Sequence, residues 1–262
     1  MLGIIKLSRR RNGGIPLKTV NFVFPVQNDE SLLIRGIRRT SDFCEEYFPQ
    51  HYRITIADCG SSDGTERMGR ALAACCENVE YLCGPSVIGQ VLEINSCDII
   101  GFLDIDLSAG LEHLLYIDQL LEDDSSCMVN GSRFRTFSVI QVHRGLWKNA
   151  LRFQLILRLL FHSHSGDVLS RFKFFRRETI EALYPMCSGK TCWYVCAELL
   201  LRAEWNHFPI RELAVDWIET RTFSEEEILR EKEEFRRETF FLWKRLLFRR
   251  RFHLPKGRPG TP

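Results

Sequence analysis

The chain predicts an α/β fold with a mainly parallel central sheet. Three observations carry this reading. Apolar runs of strand length alternate with stretches of helical length. Two of those runs, ITIA at 54–57 and IIGFL at 99–103, end directly in acidic residues. A Gly/Ser-rich turn, Cys59-Gly60-Ser61-Ser62-Asp63-Gly64-Thr65, follows the first of them. In an open parallel sheet ligands bind outside the carboxyl ends of the strands, so acids placed there predict a polar crevice.

The elements follow in order. Residues 20–26 (VNFVFPV) read as the first strand, and Asn28-Asp29-Glu30 cap a helix running to about residue 48. Residues 53–57 form the second strand, and the Gly/Ser turn leads into a helix over about 65–76. A short third strand covers 79–82 and the fourth covers 98–103. A helix over about 110–121 and a strand at 127–129 come next. Residues 84–93 read as a short loop before the fourth strand. The segment 146–161, rich in Leu, Phe and Trp with Lys148, Arg152 and Arg158 interspersed, reads either as a buried helix or as an amphipathic helix on a bilayer. Three segments result: a basic N-terminal stretch over 1–16, one α/β domain over 17–222, and a charged or basic helix and tail over 223–262. No internal repeat interrupts them.

The chemistry centres on Asp104 and Asp106. At the end of an apolar strand, carboxylates two residues apart share a face. Their hard oxygens suit Mg²⁺ or Mn²⁺, which in turn hold phosphates. A lone Asp-x-Asp is more often a solvated turn; the second acid-ended strand at Asp58 makes the functional reading the stronger one.

The net charge of +2 names no partner, but its distribution is uneven. Residues 125–166 carry six Lys/Arg and no acid, and residues 240–262 carry seven and no acid. Such blocks attract phosphate groups or anionic lipid. Nucleic acid ranks lower, because no recognised nucleic-acid module accompanies them. None of the ten cysteines forms a Cys-x-x-Cys pair, which argues against a zinc knuckle. With no secretory leader pattern and no apolar stretch near the ~20 residues of a spanning helix, the expected setting is cytoplasmic. Peripheral association with the cytoplasmic face of a membrane stays open. His143, His162 and His164 read as solvated or core histidines rather than ligands.

These landmarks resemble the family 2 glycosyltransferases of the GT-A, nucleotide-sugar-binding fold. The matching segments, in family order, are Phe24-Pro25-Val26-Gln27-Asn28-Asp29-Glu30, the 58–65 turn, Asp104-Ile105-Asp106-Leu107, Gly131-Ser132-Arg133-Phe134, residues 167–178, and Glu198-Leu199-Leu200-Leu201-Arg202-Ala203 ahead of residues 210–215. From Gly131 onward the pattern is most similar to the polyprenyl- and dolichyl-phosphate sugar synthases. The resemblance implies a three-layer GT-A sandwich and inverting, metal-dependent transfer from a nucleotide-diphospho-sugar. It places Pro25, Gln27, Asp29, Glu30, Asp58, Ser61 and Asp63 around the nucleotide, with Asp58 reaching the base. Asp104 and Asp106 become the metal ligands, and Asp106, Arg133, Asp167 and Glu198 the catalytic set.

The acceptor expected from the resemblance is a polyprenyl phosphate at an anionic membrane surface, held by Arg133 and Arg144. Such a phosphate is already ionised and needs little base catalysis. A sugar or protein hydroxyl would instead need a carboxylate base, and Asp167 and Glu198 are the candidates. A rival reading is a degenerate glycosyltransferase-like protein that binds ligand or serves a membrane partner subunit. Four departures favour it: Cys59 for the second Asp of the usual pair, Ser108 for Gln, Arg171 for Gly, and the shortened 84–93 stretch without Lys.

Overall fold

The structure, a computed structural model, describes residues 18–84, 86–121, 126–187, 192–219 and 224–248. The N-terminal basic stretch, the expected boundary near Phe223 and the tail after Phe248 lie outside these residues.

Seven strands form one sheet in the order β3-β2-β1-β4-β7-β5-β8. They are β1 (Val20–Val26), β2 (Tyr52–Asp58), β3 (Val79–Cys83), β4 (Ile99–Phe102), β5 (Met128–Ser132), β7 (Lys173–Arg176) and β8 (Ile210–Ala214). The pairs β1–β2, β1–β4, β2–β3 and β5–β8 are parallel, and β7 runs antiparallel between β4 and β5. Two short strands, β6 (Ile140–Gln141) and β9 (Trp217–Ile218), pair beside it. The first five expected elements stand where the sequence placed them, within two residues at each end. Every residue of β1 is buried, because strands flank it on both edges and helices cover both faces. The buried polar side chains Asn21 and Thr55 meet across β1 and β2, where Thr55 Oγ1 donates to Asn21 Oδ1 at 3.0 Å, while Asn21 Nδ2 is left without a partner.

Helices α1 (Glu30–Tyr47) and α2 (Thr65–Cys75) pack on one face, with Leu33, Ile37 and Cys44 meeting Phe22, Phe24, Ile54 and Ile56. The opposite face carries α3 (Val87–Ile94), α5 (Arg144–Phe161), α6 (Arg177–Leu183), α7 (Cys192–Trp205) and α8 (Glu225–Phe248). The result is an α/β/α sandwich. α8 is welded to α5: Phe235, 1% exposed, stacks on Phe153 with ring centroids 3.6 Å apart.

Three elements differ from the sequence reading. The 84–93 stretch contains the helix α3, whose Val87, Ile88 and Val91 turn one apolar stripe to the core. The helix expected over 110–121 is a 3₁₀ segment, Leu111–Tyr116, followed by the single turn α4 (Ile117–Leu120). β4 stops at Phe102, so Asp104 and Asp106 occupy a tight turn rather than one strand face. Their convergence is a property of the turn, closed by Leu107 N–H donating to Asp104 O at 3.0 Å and by Leu107 at φ 55°.

Candidate active site

The carboxyl ends of β1 and β2 lie side by side, with Val26 opposite Asp58. Asp58 Oδ1 accepts from Gly60 N–H at 3.0 Å and Ser61 N–H at 2.8 Å, while Oδ2 accepts from Tyr81 OH at 2.7 Å. Gly60 sits at φ 97°, a left-handed conformation open to glycine at little cost. The Ser61 hydroxyl accepts from Asn28 N–H, and Asn28 Oδ1 returns the contact to Ser62 N–H at 2.7 Å. Asp63 Oδ2 accepts from Glu30 N–H at 3.2 Å, and Glu30 Oε2 accepts from Gly64 N–H at 3.1 Å. Burial opposes the charge on Asp63, but hydrogen bonds from Thr65 and Glu30 hold its carboxyl below the usual range. Asp29 Oδ2 accepts from Gln27 N–H at 2.9 Å. The acids of both motifs therefore build a pair of interlocked loops. Both oxygens of Asp58, expected to reach a nucleobase, are engaged, Oδ1 by this loop and Oδ2 by Tyr81 on β3. Pro25 is buried in β1, and only Gln27 and Asn28 of this group open onto the cleft described below.

Helix α1 fixes the second acidic motif from below. At Gly36 an added Cβ would lie 2.3 Å from the Ile105 carbonyl oxygen, so only glycine admits the turn that carries Asp104 and Asp106. Asp106 accepts from Ser108 N–H at 3.0 Å and from the Ser108 hydroxyl at 2.5 Å. Ser108 thus orients the second carboxylate. Asp104 pairs through Oδ1 with Arg171 Nε, while Asp104 Oδ2 is buried with no hydrogen-bond partner. Burial pushes Asp104 up to about 6, despite the counter-charge of Arg171. An orphaned buried carboxylate oxygen beside a second, oriented carboxylate fits a hard divalent cation.

The other expected catalytic groups are already engaged. Arg133 grips Asp167 with Nε on Oδ2 at 2.7 Å and Nη2 on Oδ1 at 3.0 Å, and its backbone N–H adds a third bond at 3.1 Å. Burial alone would raise the Asp167 pKa, yet Arg133 holds it below the usual range. A carboxylate so paired is a poor base, and a base role for Asp167 would require Arg133 to release it. Glu198 is fully buried and bonded to Arg202 one turn along α7, with Nε to Oε1 at 3.0 Å. It is absent from the cleft lining; the sequence could not tell this core pair from a catalytic acid. Arg144 is exposed at the start of α5 and is also absent from that lining.

A cleft of about 410 Å³ opens beside the first motif; Asp104 and Asp106 are not in its lining, but Arg171, the partner of Asp104, is. Its walls include Gln27, Arg133, Trp147, Arg171, Trp217 and Glu219. The Arg133 guanidinium lies 4.9 Å from the Trp217 ring centre, within cation–π range. Burial raises the Glu219 pKa, and the nearby charge of Asp106 raises it further. The sequence does not single out Trp217 and Glu219, because β9 and the residue after it lie beyond the last recognisable motif. Arg171 was visible only as a departure. A separate trio, Glu112, His113 and Asp216, brings its candidate ligand atoms within 4.8 Å of one another. There His113 Nε2 accepts from Asp216 N–H at 3.0 Å and Asp216 Oδ1 accepts from Val139 N–H at 2.7 Å, so this trio splints β8 to the 3₁₀ segment.

Eight described cysteines are free thiols, whereas Cys59 is disulfide-bonded. The residue that stands for the second Asp of the usual pair is thus not a free thiol.

No family model matches the chain. It is 24% identical over 205 residues to the glycosyltransferase AglD of Haloferax volcanii, a match spanning 76% of this chain and 33% of that protein. The chain therefore covers about a third of the length of this curated relative. Among solved structures it resembles glucosyl-3-phosphoglycerate synthase of Mycobacterium tuberculosis in complex with UDP, with a TM-score of 0.60, 16% identity, and coverage of 90% of this chain and 87% of that one. The same enzyme bound to Mn²⁺, UDP-glucose and phosphoglyceric acid aligns with a TM-score of 0.61 at 15% identity, over 87% and 80% of the two chains. Mannosyl-3-phosphoglycerate synthase of Rubrobacter xylanophilus gives 0.58 at 15%, over 94% and 79%. At these identities the likeness is one of fold.

Proposed function

We propose that this chain, which has the GT-A fold, is a metal-dependent glycosyltransferase of the family 2 type, using a nucleotide-diphospho-sugar donor and an acceptor that carries a phosphate. The observation that carries the reading is the buried, half-unpartnered carboxylate of Asp104 beside Asp106, held just behind the cleft through Arg171, which pairs with Asp104 and lines the cleft. The Mn²⁺ and UDP-glucose in the M. tuberculosis enzyme support the same assignment.

Asp104 and Asp106 would hold Mg²⁺ or Mn²⁺, which when bound neutralises charge on the departing diphosphate. The interlocked 27–30 and 58–65 loops give the nucleotide a rigid wall whose own polar groups are satisfied in advance. Gln27 and Asn28 face the donor from that wall. Trp217 and Trp147 supply apolar surface for the sugar, and Arg133 adds a cation whose orientation Asp167 fixes. The resemblance implies direct displacement at the anomeric carbon with inversion. A phosphate acceptor attacks without deprotonation. For a hydroxyl acceptor, Glu219 replaces Asp167 and Glu198 as the base, since its carboxylate opens onto the cleft.

The finer acceptor reading is a polyprenyl phosphate at an anionic membrane surface. Its support is α5, which exposes Leu151, Leu155, Leu159 and Leu160 interspersed with exposed Lys148, Arg152 and Arg158. Beside it, Ile156, Leu160, Phe240 and Trp243 line a largely apolar groove between α5 and α8. Among the described residues no helix is long and apolar enough to cross a membrane, so contact of this kind would be peripheral. The second reading, a small phosphorylated acid, is favoured by the phosphoglyceric acid bound in the structural neighbour.

Calorimetry with UDP- and GDP-sugars tests the donor site. Binding should require Mn²⁺ or Mg²⁺, vanish with EDTA, and be lost in Asp106→Asn without a change in melting temperature. Donor affinity indifferent to EDTA would sink the metal assignment. Transfer to polyprenyl phosphate compared with phosphoglyceric acid then decides the acceptor.

A further inference from the structure

Arg171 stands in the cleft where the resembling motif has glycine, and it makes one informative contact. Its Nε donates to Asp104 Oδ1. The two partners differ in accessibility: the Asp104 side chain is 7% exposed and that of Arg171 is 42% exposed. The carboxylate is therefore fixed behind the wall, while the guanidinium, which lines the cleft, reaches it from the more exposed side. Asp104 keeps its second oxygen unpartnered. Asp106, Asp29 and Glu219 add negative charge close by, and the charge of Arg133 is already matched by Asp167. Arg171 is thus the leading counter-charge of Asp104, ahead of Arg133, and it sits on one of the two oxygens a metal would use.

Resting on the glycosyltransferase reading, we propose that Arg171 is a resident counter-cation that competes with the divalent ion for Asp104 and exchanges onto a donor phosphate when the ion enters. With Arg171 on Oδ1, only Oδ2 is open to a divalent ion, so two-oxygen coordination by Asp104 requires Arg171 to leave, and even one-oxygen coordination sets the two cations against each other. The displaced guanidinium remains tethered at the cleft wall, where a diphosphate offers the oxygen pairs its fork-shaped donors match. By linkage, nucleoside diphosphate should favour metal binding and metal should favour nucleoside diphosphate, beyond any direct contact between them. Arg171 would then be a positioning residue that weakens the metal site until donor arrives.

The test is Mn²⁺ binding without donor, read from the electron paramagnetic resonance signal of free Mn²⁺, together with UDP binding by calorimetry with and without Mn²⁺. In Arg171→Gly, Mn²⁺ alone should bind about tenfold tighter than in the native protein, a charge-assisted hydrogen bond having been removed from competition. UDP in the absence of metal should bind several-fold weaker, and the mutual enhancement of Mn²⁺ and UDP should shrink. Arg171→Gln, which keeps a hydrogen-bond donor but loses the charge, should move Mn²⁺ affinity in the same direction and guards against a folding defect in the glycine variant. Unchanged or weaker Mn²⁺ binding in both folded variants, with native binding intact, overturns the role of Arg171 alone. No Mn²⁺ and no UDP binding by the native protein overturns the glycosyltransferase reading and this inference with it.

Discussion

Asp104, Asp58 and Asp167 are all acids at or near strand ends, yet each does something different, and partners decide which. Asp58 is saturated by two backbone donors and Tyr81, Asp167 by Arg133, and Asp104 keeps an open oxygen. The Arg133–Asp167 pair is buried and bidentate, so its loss is costly for stability. Removing one member of a buried pair costs about 3–5 kcal/mol, because the other charge is left uncompensated. Arg133→Ala should therefore lower the urea midpoint sharply, by that amount in free energy, with the m-value unchanged. The pH dependence has a definite sign. Asp167 has a depressed folded pKa, so the unfolded chain binds its proton more readily, and the contribution is full above about pH 4 and fades as pH falls through the folded value. The native protein should lose more stability on acidification than an Arg133→Met, Asp167→Leu double variant. Equal acid limbs would refute the pairing as a stability element.

At the scale of elements, α5 combines two faces. Phe153, Leu157 and Phe161 are buried against the sheet and α8, while Leu155 and Leu159 are 57% and 68% exposed. Leucines repeated on a solvated, cation-bearing face suit an interfacial helix. Leu155→Asp with Leu159→Asp should leave the melting temperature within a few degrees of native, since neither side chain fills the core. The same change should abolish sedimentation with liposomes of anionic lipid at low salt. Retention of liposome binding by the folded double variant would remove α5 from the membrane reading. The sequence had left this helix open between core and surface; the period alone allows both, and the structure assigns each face.

For the whole molecule, the decisive packing is that of α8. The sequence assigned residues 223–262 to a segment apart from the α/β domain, because charge dominates 225–239. Phe235 and Leu242 nonetheless lie in the core cluster with Phe153 and Leu157. Burying a phenylalanine and losing it costs about 3–5 kcal/mol, a large share of a typical domain's stability. A chain ending at residue 222 should melt at markedly lower temperature and bind hydrophobic dyes, whereas a chain ending at residue 248 should melt as the full protein does. Equal melting of the two truncations would show that α8 is dispensable to the fold.

The sequence by itself determined the strand–helix alternation, the order of the motifs and the residue types of the metal turn. Those features follow from local propensity and apolar patterning, which short windows record. It also exposed Arg171 as a misfit, without saying what that residue touches. The tertiary structure decided which acids remain available. Asp167 and Glu198 look as catalytic as Asp104 in one dimension, but Arg133, 34 residues from Asp167, and Arg202, on the buried face of α7, consume them. It also brought Trp217 and Glu219 into the cleft through β9 and the residue after it, and left Asp104 facing Arg171. A carboxylate's chemistry depends on burial and on what neutralises it, and those neighbours arrive from distant parts of the chain, so no local pattern contains them.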